Sequence, residues 1–210
     1  MSQSGILTLF PCSVYHAPLF PSGAAARNRD LREEALRLSE VDEAGIEWSR
    51  KNYPGGYTSY GSMDRLHEFS SSFEALRKRL DTHVAKFVKH LELDVQPRDL
   101  QMRSCWVNVM PAQVVHTMHI HPLSVISGTY YVQTPAGAGS LKFEDPRLGF
   151  FMGSPPAKAK AKPQNQRFYN LKPKAGDVVL FESWMRHEVP PNQSHQDRIS
   201  ISFNYDWTER

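Results

Sequence analysis

The sequence predicts an α+β fold: a double-sheet jelly roll in the second half of the chain, with helices of the first half packed on the outside of the sheet. Three observations predict it. Beyond residue 100 the chain breaks into short β-branched or aromatic runs, at 105–110, 125–133, 141–143, 166–171, 178–181 and 198–205, separated by Pro, Gly and Asn. Before residue 100, two stretches instead repeat their apolar residues at helical period. Histidines also flank two of the short strands, a cluster just before 125–133 and His187 after 178–181, as expected where strands supply ligands to one interior pocket. A length of 210 residues fits one domain, with residues 1–100 as a supporting strand, helices and loop and residues 101–210 as the jelly-roll half with the site.

Taken in order, residues 6–10 alternate weakly and stop at Pro11, which predicts a short entering strand; Pro18, Pro21 and Gly23 then predict a loop. Residues 28–44 are densely charged, with Leu31, Ala35, Leu38 and Val41 at three- to four-residue intervals, so an amphipathic surface helix is expected to end near Gly45. Residues 51–61, rich in turn formers and tyrosine, predict a loop lying across the domain. Ser71 and Glu74 have capping-box spacing, and Phe73, Leu76, Leu80, Val84, Phe87 and Leu91 follow on one helical stripe that should end before Pro97 and lie on a sheet. Residues 150–166 contain a Pro/Ala/Lys run, Gly-Ser-Pro-Pro-Ala-Lys-Ala-Lys-Ala-Lys-Pro, which reads as a solvated excursion from the sheet.

A net charge of +3 and a pI near 8.8, with the basic residues spread along the chain, do not point to nucleic acid. The first residues lack a basic n-region and a long apolar stretch, and no apolar run is of membrane-spanning length, so a cytoplasmic protein without membrane contact is expected. Cys12 and Cys105 make no metal-binding spacing and are expected as reduced thiols.

The chemistry gathers in residues 116–132, where His116, His119 and His121 precede a strand-like run. In an extended strand His119 and His121 share one face and His116 falls on the other. Two imidazoles at i and i+2 can fill adjacent corners of a metal site, although a histidine-rich loop would read the same way. His187, at the end of a buried strand that follows Pro173-Lys-Ala-Gly-Asp, offers a third ligand. In residues 198–205, alternation places Arg198, Ser200, Ser202 and Asn204 on one face, toward a pocket or water, and Ile199, Ile201, Phe203 and Tyr205 on the packed face. An arginine and a serine opening one strand after a histidine ligand suit a carboxylate, held by a bidentate fork and a hydroxyl.

In order, Gly56-Tyr-Thr-Ser-Tyr, Trp106-x-Asn108, His119-x-His121-Pro, Ser127-Gly-Thr-Tyr-Tyr131-Val, Phe143-Glu-Asp-Pro-Arg147, Ser183-Trp-x-x-His187 and Arg198-Ile-Ser-Ile-Ser-Phe-Asn-Tyr resemble a bacterial and phage branch of the 2-oxoglutarate- and Fe(II)-dependent oxygenases. No motif is specific alone; the ordered set is. The resemblance implies a double-stranded β-helix, Fe(II) on His119 and His187, with His121 read from its spacing as the third ligand, and 2-oxoglutarate with its distal carboxylate on Arg198 and Ser200, with Tyr131 and Asn108 also at the co-substrate. It further implies dioxygen and an unidentified small-molecule or peptide substrate; a homodimer is left open. One position departs from the wider superfamily, which has Asp or Glu where this chain has His121. Asp145 could supply the carboxylate only if its strand folds back; an Asp before Pro ordinarily caps a turn. Two other readings stand beside the oxygenase: a cupin-like three-histidine metalloenzyme that needs no 2-oxoglutarate, and a non-catalytic metal- or ligand-binding module. The Arg198-x-Ser200 pair separates the first two, because only the 2-oxoglutarate enzymes require a carboxylate clamp there.

Overall fold

The computed structural model describes residues 5–96, 98–147, 149 and 152–208; Pro97 and the first two residues of the 150–166 stretch lie outside them. Among the described residues, ten strands form two antiparallel sheets. The strands are β1 (Val14–Pro18), β2 (Tyr57–Thr58), β3 (Leu100–Met110), β4 (His116–His119), β5 (Ile126–Gln133), β6 (Leu141–Glu144), β7 (Phe168–Leu171), β8 (Asp177–Glu182), β9 (His187–Val189) and β10 (Arg198–Trp207). The larger sheet runs β1-β8-β5-β10-β3-β2 and the smaller β4-β9-β6-β7. From β3 onward the chain passes back and forth between the two sheets, the winding of a double-stranded β-helix. The α-helices lie in the first half: α1 (Ala24–Val41), α2 (Glu43–Asn52), α3 (Leu66–Phe69) and α4 (Ser71–His90).

The α4 stripe behaves as its period demands. Phe73, Leu76, Leu80, Val84 and Phe87 are buried in one cluster with Val107, Ile201, Phe203 and Tyr205 of the larger sheet. At about 1.5–3 kcal/mol per buried large apolar side chain, this stripe is the main reason the helix stays on the sheet. α1 joins the same face through Leu31, Ala35 and Leu38, and Asn28 ties it to β5 by donating to the Val132 carbonyl and accepting from the Tyr130 hydroxyl. The close packing explains the Ser-Gly pair of β5: a Cβ on Gly128 would lie 2.7 Å from Leu180 and from the Phe203 ring. The second core lies between the sheets, where Met110, Tyr131, Val179 and Phe181 of one face Leu141, Phe143 and Val189 of the other.

Several expectations are corrected. Residues 6–10 form no strand; Ile6, Leu7, Leu9 and Phe10 are exposed, and the entering strand is instead β1, paired from Val14 with Phe181 to Pro18 with Asp177. A strand needs a partner edge as well as a pattern, and the chain reaches the free edge of β8 only after Pro11. The helix expected over 28–44 begins at Ala24 and closes at Val41. Gly45 does not stop it but sits in the first turn of α2, its N–H donating to the capping Asp42 carboxylate; a Cβ there would lie 2.1 Å from that carboxylate, so the glycine is required by the cap. In α4 the N-cap is Ser70 and no side chain caps it, so the Ser71 to Glu74 capping box is not formed. The loop expected over 51–61 contains β2, paired with Val109 and Asn108 of β3. The Lys-rich run is exposed, as expected, with a 3₁₀ turn at Pro163–Asn165. No described helix is long and apolar enough to cross a membrane.

Candidate metal centre

β4 and β9 run antiparallel on the smaller sheet with His119 and His187 as direct register partners. That register brings their rings to 4.3 Å between centroids. His121 follows β4 in a turn anchored by its backbone N–H on the Ser183 carbonyl at 3.0 Å. Its Nε2 stands 3.3 Å from that of His187, and one ligand nitrogen from each of the three histidines falls within 4.8 Å of the others. Two nitrogens bound to one transition ion at about 2.1 Å and at right angles are about 3 Å apart, so the spacing fits a shared ion. His119 Nδ1–H donates to the Thr117 carbonyl at 2.6 Å and His187 Nδ1–H to the Met185 carbonyl at 2.8 Å, which leaves both Nε2 lone pairs facing inward. Burial, and then the neighbouring imidazoles, pushes His121 and His187 down to about 3, and burial also lowers His119. Neutral imidazole is the form that binds metal, so the donor set fits a divalent transition ion.

His116 corrects the strand-parity expectation. The β4–β9 register shifts between His116 and His119, so an odd spacing no longer means opposite faces. Its ring stacks on His119 at 4.7 Å and meets Tyr53 at 5.1 Å. Burial, His119, His187 and Arg198 together push it down to about 3, which sets it within electrostatic reach of both the triad and Arg198. Asp145 does not join the three histidines; its carboxylate accepts from the Arg147 backbone and guanidinium, the turn-capping role expected before a proline.

The inner face of the larger sheet carries the rest. β10 pairs Arg198 with Met110, Ser200 with Asn108 and Tyr131, and Ser202 with Trp106 and Thr129. Alternation therefore holds: Ile199, Ile201, Phe203 and Tyr205 pack under the helices, while Arg198, Ser200 and Asn204 are buried toward the space between the sheets. Arg198 is only 4% exposed. Its Nη1 donates to Ser200 Oγ at 3.2 Å and its guanidinium lies 5.1 Å from the Tyr131 ring centre, yet no carboxylate among the described residues pairs with it. Around it, among the described residues, three buried polar atoms have no hydrogen-bond partner: the Tyr131 and Tyr53 hydroxyls and Asn108 Oδ1. Asn108 Nδ2 donates to Ser202 Oγ at 3.0 Å. Burial holds Tyr131 and Tyr53 up at about 12, so both keep their protons to donate. A buried guanidinium without an anion costs several kcal/mol, and unsatisfied buried hydroxyls about 1–3 kcal/mol each. A dicarboxylate fits this set. A wide cavity, about 1160 Å³, lies elsewhere, between α4 and β3 against Val84, Val88 and Met102, and touches none of these residues.

Sequence reasoning missed His116, Tyr53 and the chain of Ser183, Ser127 and Asn204. The Ser127 hydroxyl is 2.7 Å from that of Ser183 and donates to Asn204 Oδ1 at 2.8 Å; this links β5, β10 and the turn that carries the His121 anchor. The Ser127-Gly and Ser183-Trp motifs were visible, but nothing in them said that the two serines meet.

Residues 104–204 match the sequence family described as "Putative 2OG-Fe(II) oxygenase". No curated protein matches. Among solved structures, the chain is similar to a prolyl-4-hydroxylase of Pseudomonas putida, at 16% identity and a TM-score of 0.62 over 94% of each chain. It is similar to HygX of Streptomyces hygroscopicus, crystallised with nickel and 2-oxoglutarate, at 16% identity and 0.61 over 94% of this chain and 84% of that one. It is also similar to SnoN, an alpha ketoglutarate dependent epimerase from nogalamycin biosynthesis, at 17% identity and 0.62 over 93% and 76%. Likeness at such identities establishes the fold. The sequence match and the two-sheet winding agree: residues 104–204 are similar to the "Putative 2OG-Fe(II) oxygenase" family, which uses Fe(II) and 2-oxoglutarate, and the chain has the double-stranded β-helix fold of such enzymes.

Proposed function

We propose that the protein is a 2-oxoglutarate- and Fe(II)-dependent oxygenase that uses dioxygen to oxidise a C–H bond, by hydroxylation, of a substrate not yet identified. The observation that carries the reading is Arg198, a buried guanidinium with no anionic partner among the described residues, on the inner face of the sheet that lies opposite the triad. His119, His121 and His187 would hold the metal, which when bound supplies the redox chemistry coupling decarboxylation of 2-oxoglutarate to substrate oxidation. The chain's own residues select and orient. Arg198 and Ser200 grip the distal carboxylate, the Tyr131 hydroxyl donates to it, and Asn108 contacts the co-substrate beside Ser200. Phe181 and Phe143, 4.5 and 6.1 Å from the His187 ring, back the triad with apolar rings and would exclude water on that side. With His121 in place of a carboxylate the protein ligands are all neutral, so 2-oxoglutarate would bring the negative charge that the wider superfamily places on the protein.

Calorimetry under nitrogen on the Mn(II)-loaded protein tests this. Wild type should bind 2-oxoglutarate, and Arg198→Ala should lose about 1.5–3 kcal/mol of that binding or more, while keeping Mn(II). Equal binding by the two, or none by wild type, would leave the three-histidine reading without a co-substrate in its place.

A further inference from the structure

Beyond the triad, three rings stand in line. Trp106 shares the inner face of β3 with Asn108 and lies 6.0 Å from the His121 ring. Tyr60 covers Trp106 at 5.0 Å, and Trp48 of α2 backs Tyr60 at 6.0 Å. Gly61 admits Trp48, since a Cβ there would lie 2.2 Å from the indole. Exposure falls from 49% at Tyr60 to 4% at Trp106, so the line leads from solvent to a ligand histidine.

A second observation is independent of those rings. Large apolar side chains flank His121 and face water: Ile120 and Leu123 along the chain, and Trp184 next to Ser183, whose carbonyl holds the His121 N–H. Leu123 is 98% exposed and sits at φ 70. The left-handed region costs a side-chain-bearing residue about 1–2 kcal/mol, and here no buried area offsets it. Single exposed apolar residues are ordinary; three around one candidate ligand, one of them strained, suit a surface that is covered when a molecule binds.

We propose that the substrate side of the centre is an aromatic-walled channel for a flat, uncharged apolar or aromatic group, stacked on Trp106 and Tyr60 and covered by Leu123 and Trp184. The proposal deepens the oxygenase reading and rests on it for the metal at the triad. The two ends of the site then select differently. Arg198 selects by charge, whereas the wall offers ring faces and apolar area, which select by shape.

The test uses 2-naphthol as a neutral flat probe and glucose as a polar one, with the full chain loaded with Mn(II). Proton relaxation of 2-naphthol should be enhanced well beyond that of glucose, since only a molecule near the ion feels it. Tyr60→Ala removes an exposed side chain and should weaken 2-naphthol about two- to ten-fold, and Leu123→Gly should weaken it as well, with Mn(II) and 2-oxoglutarate affinities kept. Equal enhancement for the two probes, or variants that bind 2-naphthol as wild type does, would overturn the channel. If the triad holds no Mn(II), the metal reading fails by itself. The channel is then decided on the metal-free protein by tryptophan fluorescence titration of 2-naphthol against the same variants.

Discussion

Arg198 and the four clustered histidines show how strongly the role of one residue depends on what faces it. His116, His119, His121 and His187 are all gathered near one another, but only the last three offer nitrogens within 4.8 Å of one another; the His116 ring is stacked face to face on His119. His187→Ala should therefore weaken Mn(II) by more than the roughly 10–100-fold that follows loss of a hydrogen-bonding partner to a ligand. His116→Ala should change it by less than about threefold and instead weaken 2-oxoglutarate. Paired Mn(II) and 2-oxoglutarate titrations check both; a large loss of Mn(II) in His116→Ala would make it a ligand. Leu123 belongs to this scale too. Because glycine adopts positive φ without strain, Leu123→Gly should stabilise the fold by about 0.5–1 kcal/mol in urea denaturation, even as it weakens probe binding.

Among the elements, α4 carries most of the outer core, and it also buries a titratable group. His83 is buried beneath β1, with Nδ1 2.9 Å from the Tyr15 hydroxyl. Burial, with Lys86 and Arg79 adding to it, lowers its pKa below the ordinary histidine value. A histidine whose folded pKa lies below its unfolded one contributes fully above the unfolded value, near 6.5, and loses that contribution as pH falls toward the folded value. Stability should thus drop as pH falls below about 6.5, and His83→Gln should flatten the part of that drop due to this residue, read from urea midpoints on either side of that pH. An unchanged slope would place the pH dependence in other groups. Deleting the stripe at Leu80→Ala should cost about 2–5 kcal/mol, because Leu80 is fully enclosed between helix and sheet.

For the whole molecule, the two sheets meet across the second core, and the triad and Arg198 stand on opposite walls of it. A ligand that touches both walls should tie them together. Thermal melts should rise with Mn(II) and rise again with 2-oxoglutarate, each by about 2.7 kcal/mol at roughly a hundredfold excess over its Kd, and Arg198→Ala should keep the first increment and lose most of the second. Two full increments in the variant would mean that 2-oxoglutarate binds away from the Arg198 wall.

Local pattern was enough for much of this. Helical period marked the α4 stripe, strand alternation sorted β10 into a packed and a polar face, and the ordered motifs pointed to the family that residues 104–204 match. Each of those is a short-range property, fixed by which side chains share a face of one element. What required tertiary structure was every relation between elements. The strand at residues 6–10 failed because pairing needs an edge that only the folded sheet provides, and β1 formed later in the chain where that edge lies. His116 joined the pocket because a register shift against β9 cancelled the alternation within β4. Gly45 read as a helix stop until Asp42 was seen to cap the next helix. Ser127, Ser183 and Asn204, far apart in sequence, became one hydrogen-bonded chain only when β5, β8 and β10 were laid side by side. Alternation states which way a side chain points; the register between strands decides what it meets.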